Sequence, residues 1–182
     1  MAAVRAEMGA ASEIKWAKAT ARTLPFYERV LDTFFDNRWP RLSVLTVTKG
    51  PNWQVWGRTE EERFFKAYYV FLMRNAGPFS RYNVYLDDKS LQRGYRWSTM
   101  HFLVNRARRS EWGLSRRNIR VLKAVDSKGN ELIQLADLLL GCATWRSGSE
   151  AKTKLRQRFV QRSETAGRRV RVDAFCPKPP NE

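Results

Sequence analysis

The stretch Ile119-Arg120-Val121-Leu122-Lys123-Ala124-Val125-Asp126-Ser127-Lys128-Gly129-Asn130-Glu131-Leu132-Ile133-Gln134-Leu135-Ala136-Asp137 decides the fold class. Its first seven residues are rich in apolar and β-branched side chains and read as a strand. Asp126 to Asn130 is turn chemistry, and residues 132–145 form the most apolar helical pattern of the chain. Strand, turn and helix in so short a span point to an α/β sheet. Working outward, residues 82–86 and 42–48 read as two further apolar strands, buried on both faces. Residues 24–35 place Phe26, Tyr27, Val30, Leu31, Phe34 and Phe35 on one helical face, behind Thr23 as N-cap and Pro25 in the first turn. Thr59 with Glu62 is a capping-box pattern ahead of Phe64, Phe65, Tyr68, Tyr69 and Leu72, and that helix should stop near Asn75-Ala76-Gly77-Pro78. Basic helical segments follow at residues 97–109 and 152–162. Strands alternating with helices imply at least some parallel pairing.

The chain has 182 residues, which suits one domain, here residues 13–162. A poorly structured segment, residues 1–12, is expected before it, and a basic, proline-containing tail, residues 163–182, after it. Hydrophobic residues make up 43% and aromatics 13%, enough for a packed core and against disorder. No apolar run approaches the ~20 residues of a membrane span, and residues 1–12 lack the apolar stretch of a secretory signal. Cys142 and Cys176 have no CxxC partner, which excludes a cysteine-based zinc site and suits reduced thiols in a cytoplasmic protein.

Charge narrows the partner. Lys and Arg number 34 against 18 Asp and Glu, a formal net charge of +16. Such a field attracts polyanions, and nucleic acid is the commonest for a basic domain. No basic amphipathic helix with a long apolar face suggests a membrane surface. The binding candidates are Arg106, Arg108 and Arg109; Arg116 and Arg117; and Lys154, Arg156 and Arg158, many of them outside i,i+4 reach of an acid. Trp97, Trp112 and Phe159 lie among them, suited either to stacking on unpaired bases or to core packing. The single histidine, His101, reads as a packed or surface residue. No Cys-His pair, nucleophile elbow, P-loop or dinucleotide fingerprint is present.

Carboxylates remain. Asp137 sits in an apolar helix, where an ionised group needs a pair, a hydrogen bond or a metal. It shares a stripe with Gln134 and Gly141; the alternative is that it faces solvent or caps a neighbouring element. Asp87 and Asp88 end a strand, where open α/β sheets place ligands, though Asp-Asp-Lys-Ser is equally good turn chemistry. The ordered set Glu13-Ile14-Lys15-Trp16, then Val84 to Lys89, then Asp126-Ser127-Lys128, then Gln134 to Gly141 resembles the bacterial "domain of unknown function 3800" family, over residues 13–145.

That resemblance implies a ribonuclease-H-like mixed sheet flanked by helices. Glu13, Asp87 and Asp137 would stand at its acidic positions, with Lys15, Asp88, Asp126, Ser127 and Gln134 nearby. Such carboxylates would hold Mg²⁺ or Mn²⁺ for two-ion phosphodiester cleavage. The family opens with a strand ending in Asp-Glu-Ser, and nothing in residues 1–12 matches it. The expected sheet is therefore N-terminally incomplete, its open edge covered by a homodimer or a partner protein. Three functions follow: a metal-dependent nuclease, a non-catalytic nucleic-acid-binding protein or accessory subunit, and a protein-interaction module.

Overall fold

Two separate apolar clusters organise the chain, which was analysed as a computed structural model that describes residues 2–8, 13–50, 52–88, 97–114 and 116–177. Each cluster belongs to one of two compact units. Unit one comprises Met1–Val44 and Ser127–Asp173; unit two comprises Leu45–Asp126 and Ala174–Glu182. Residues 13–162 therefore fall in both bodies, and unit one is built from two stretches of the chain separated by most of unit two.

Unit one is helical. It contains α1 (Ala2–Met8), α2 (Leu24–Asp36), α6 (Glu131–Thr144) and α7 (Glu150–Ala166). The apolar stripe of α2 is buried as its periodicity requires: Tyr27, Val30, Leu31, Phe34 and Phe35 pack with Leu138, Leu139 and Cys142 of α6 and with Leu155 and Phe159 of α7. Thr23 occupies the N-cap position of α2, but its hydroxyl serves the preceding turn, accepting from Thr20 N–H at 2.9 Å. Asn130 caps α6, its Oδ1 accepting from the N–H groups of Leu132 and Ile133 at 3.1 and 3.2 Å.

Unit two holds α3 (Trp53–Trp56), α4 (Glu60–Asn75), β2 (Tyr82–Asp87), α5 (Trp97–Trp112) and β3 (Ile119–Val125). The cap at the start of α4 forms, with its return bond shifted by one residue: Thr59 Oγ1 accepts from Glu62 N–H at 3.1 Å, while the Glu62 carboxylate accepts from Arg58 N–H, one position before the N-cap, at 2.8 Å. β2 and β3 are parallel, pairing from Tyr82↔Ile119 to Asp87↔Val125 with one register shift between Tyr82 and Asn83, so β2–α5–β3 is a βαβ crossover. Tyr82, Val84, Leu86, Ile119 and Leu122 meet Phe65 and Leu72 of α4 and Met100 and Val104 of α5.

β1 (Leu42–Val47) pairs with β4 (Val170–Phe175), and each strand carries the chain from one unit into the other. Helix makes up 59% of the described residues and strand 16%, a mixed α/β composition with small sheets. That corrects the expectation of strands buried on both faces: in β1 only Val44 is buried, and in β2 only Leu86. Two-stranded sheets do not supply enough cover for both faces. Two further differences lie at the ends. Residues 2–8 form α1, and the expected tail supplies the last turn of α7 and then β4. No helix among the described residues is long and apolar enough to cross a membrane.

Candidate functional site

The two motif pieces at residues 13–16 and 134–141 touch each other in unit one. Ile14 N–H donates to Gln134 Oε1 at 3.0 Å, and Trp16 N–H donates to Asp137 Oδ2 at 2.7 Å. Between them, Lys15 is held through its backbone by Tyr27: its N–H donates to the hydroxyl at 3.1 Å, and the hydroxyl donates to its carbonyl at 2.9 Å. Burial pushes the Tyr27 hydroxyl above its usual value, which keeps it a neutral donor. The Trp16 ring lies over Gly141, where an added Cβ would come within 2.2 Å of it. The stripe Gln134, Asp137, Gly141 is therefore a strip of α6 that receives an extended strap. Asp137 is exposed and accepts from Trp16 N–H, the alternative of an aspartate that faces solvent or caps a neighbouring element. Helix α6 is apolar around most of its circumference, yet Leu132 and Leu140 are exposed as well, because only one side is packed.

An open cleft of about 490 Å³ adjoins the strap, walled by Arg5, Glu13, Lys128, Glu131 and Gln134. Gln134 is 3% exposed and fully engaged: its Nε2 donates to the carbonyls of Ser127 and Lys128 at 2.8 and 3.0 Å, and its Oε1 also accepts from Arg5 at 2.6 Å. Glu13 accepts from Lys15 Nζ at 3.0 Å and from Ser127 Oγ at 3.2 Å, and Lys18 Nζ lies 3.6 Å away. The Lys15 hydrogen bond, above all, holds the Glu13 carboxyl below its usual value of 4.5. Ammonium groups neutralise this carboxylate where a hard cation would otherwise sit. Among the described residues, no three His, Cys, Asp or Glu side chains gather in a way that could hold a metal ion. The residues present do not fit the expected Mg²⁺ or Mn²⁺ centre, and no chemical step through one follows from them.

The remaining acidic candidates belong to unit two. Asp87 ends β2 opposite Val125, followed by the exposed Asp88, and Asp126 follows β3, so all three stand at the C-terminal end of the parallel pair. Glu13, Lys15, Ser127, Gln134 and Asp137 share unit one.

The basic candidates separate just as clearly. In α7, Arg158 forms a two-pronged pair with Asp32 at 2.9 and 2.5 Å, and Arg162 pairs with Asp36. Arg156 caps the end of α6 by donating to the carbonyls of Cys142 and Ala143 at 3.1 and 3.2 Å, while Lys154 pairs with Glu150 at 2.8 Å. Lys152 Nζ sits over the Trp16 and Trp145 rings, at 5.4 and 5.2 Å from their centroids. Every cation of this helix thus has a partner inside unit one.

Unit two differs. Residues 97–120 carry six arginines and one acid, Glu111, which Arg108 engages at 2.7 Å while stacking over Trp112 at 3.8 Å. Arg108 is thereby buried, at 4% exposure, and withdrawn from the binding candidates. Arg106, Arg109 and Arg117 line an open cleft of about 500 Å³ with His101, Phe102 and Asn105. Arg117 also lines a second groove, with Phe79, Arg81, Arg116 and Asn118. Asn105 and His101 fix the helix to β3: Asn105 Oδ1 accepts from Ile119 N–H, its Nδ2 donates to Ile119 O, both at 3.0 Å, and His101 Nε2 donates to the same carbonyl at 2.7 Å.

The aromatics expected to stack on bases are occupied. Trp97 packs edge-on against Tyr68, Trp112 lies under Arg108, and Phe159 is 2% exposed. The exposed rings of this face are Phe79 and Phe102, which the sequence reading missed, together with Arg81. Phe102 carried a signal, since it lies four residues before Arg106 and seven before Arg109, on one helical stripe. No family model, curated protein or solved structure matches this chain.

Proposed function

We propose that the chain is a nucleic-acid-binding protein and that the α5–β3 face of unit two is its binding surface. One observation carries the reading. Arg106, Arg109, Arg116 and Arg117 stand exposed around adjoining grooves, and among the described residues none has an acidic partner. Unneutralised guanidinium groups on α5 and on the loop that leads from it to β3 suit phosphates, which each strand presents about every 3.4 Å. Their geometry is set in advance by the Asn105 and His101 clamps on Ile119, so little ordering is left to binding. A ribonuclease-H-like relationship of unit two belongs to the same proposal, supported by the β2–α5–β3 crossover and by the resemblance over residues 13–145.

The reading stops at binding, because Glu13 and Asp137 are engaged in holding the strap. The test is an anisotropy titration across salt concentrations. Binding should weaken steeply, with a log–log slope of about −0.9 per neutralised phosphate on duplex and −0.7 on a single strand. Absence of binding at low ionic strength would sink the proposal. In the same samples, Mg²⁺ or Mn²⁺ should produce no cleavage; cleavage abolished by Asp137→Asn would restore the nuclease reading.

A further inference from the structure

We infer that this face selects single-stranded over duplex nucleic acid, stacking unpaired bases on Phe102 and Phe79 while the arginines hold the backbone. The inference rests on the binding proposal above and adds to it the physical form of the ligand. Phe102, Arg106 and Arg109 fall at i, i+4 and i+7 of α5, so one ring and two guanidinium groups stand in file along the cleft. Phe102 is 61% exposed and Phe79 fully so. Neither ring has an aromatic partner among the described residues, and neither belongs to the unit-two core. A single exposed phenylalanine is unremarkable. Two that bracket a shared arginine, Arg117, in adjoining grooves make a stacking platform inside an electrostatic track.

Duplex geometry does not use that combination. A double helix offers its phosphates outward and keeps the faces of its bases stacked within, so the rings meet little but backbone. A single strand offers phosphates and π-faces together.

The experiment compares labelled single strands, DNA and RNA, with a duplex of the same length, about 20 nucleotides, which exceeds the ~4–16 nucleotides of a typical single-strand site. The wild-type chain should bind the single strands at least tenfold more tightly than the duplex at equal salt. Phe102→Ala and Phe79→Ala should each weaken single-strand binding roughly five- to hundredfold, the range for loss of one base–aromatic stack. Duplex affinity and the salt slope should stay put, since no phosphate contact is removed. Both side chains lie outside the core, and circular dichroism confirms that the variants fold. Equal affinity for the two forms overturns the inference and leaves the binding proposal standing. So does an equal loss on duplex in either variant, which would mark the ring as a wedge between paired bases. Failure to bind either form overturns both.

Discussion

Helix α7 and the α5–β3 face carry similar densities of basic residues, and sequence alone treats them alike. In α7 the guanidinium groups are spent inside the fold. Arg158 and Arg162 join α7 to α2 through Asp32 and Asp36, and Arg156 closes the end of α6. On the α5–β3 face the one acid is taken by Arg108, and the exposed arginines keep their charge for solvent. A basic run therefore says little about binding until its acids have been located, and those acids need not be near in sequence. Asp32 and Arg158 are 126 positions apart.

The most decisive way to break this comparison is to neutralise the two sets separately. Arg106→Ala, Arg109→Ala and Arg117→Ala together should cost roughly a hundredfold in nucleic-acid affinity and flatten the salt slope by about one per arginine, with thermal stability nearly unchanged. The matching set in α7, Lys154→Ala, Arg156→Ala and Arg158→Ala, should do the opposite. Its loss is about 2 kcal/mol of stability, seen in urea unfolding, from a half-exposed ion pair and lost helix-end hydrogen bonds, with binding within about threefold of wild type. Equal binding losses in the two sets would erase the distinction.

A smaller effect sharpens it. Gly141→Ala puts a methyl group into the Trp16 ring, and the strap must move off α6 at a cost of about 1–3 kcal/mol. Unfolding of unit one should shift while single-strand binding by unit two is kept; lost binding would show that the face depends on the strap. The smallest effect is on Cys142, whose thiol is pushed up to about 12 by burial, against a weaker opposing pull from Arg156. Its native value is raised, so the stability it contributes is complete below about pH 9 and is lost as pH rises from there toward about 12. At pH 8 a thiol reagent should label the exposed Cys176 at once and Cys142 only as unit one opens; prompt labelling of both would contradict the packing of α6.

Periodicity made much of this legible in the sequence. The stripe of α2, the Thr59 box and the strand at Ile119–Val125 are written in local spacing, and the structure has them in those places. What was not legible depends on pairing at a distance. Nothing near Asp137 announces that Trp16 N–H is its partner, so its polarity in an apolar helix read as a site. Nothing in Phe102 tells that it will be left bare. An aromatic's exposure is decided by which side of its helix finds a neighbour, and that information lies in other elements. β4 alternates apolar and charged residues from Val170 to Ala174 and escaped notice because it is short and sits among charges.

The strap has a further consequence, for the order in which the chain can fold as it is made. Residues 13–16 dock on residues 134–141, and the stripe of α2 needs Leu155 and Phe159, so unit one stays open until α7 has emerged from the ribosome. At ~5–20 residues per second that wait is on the order of ten seconds. Throughout it, Tyr27, Val30, Leu31, Phe34 and Phe35 have nothing native to cover them, while the core of α4, β2, α5 and β3 is already complete in sequence and free to close. Nascent chains halted once β3 has emerged from the ribosome should therefore hold a formed unit-two core beside a sticky, chaperone-dependent α2.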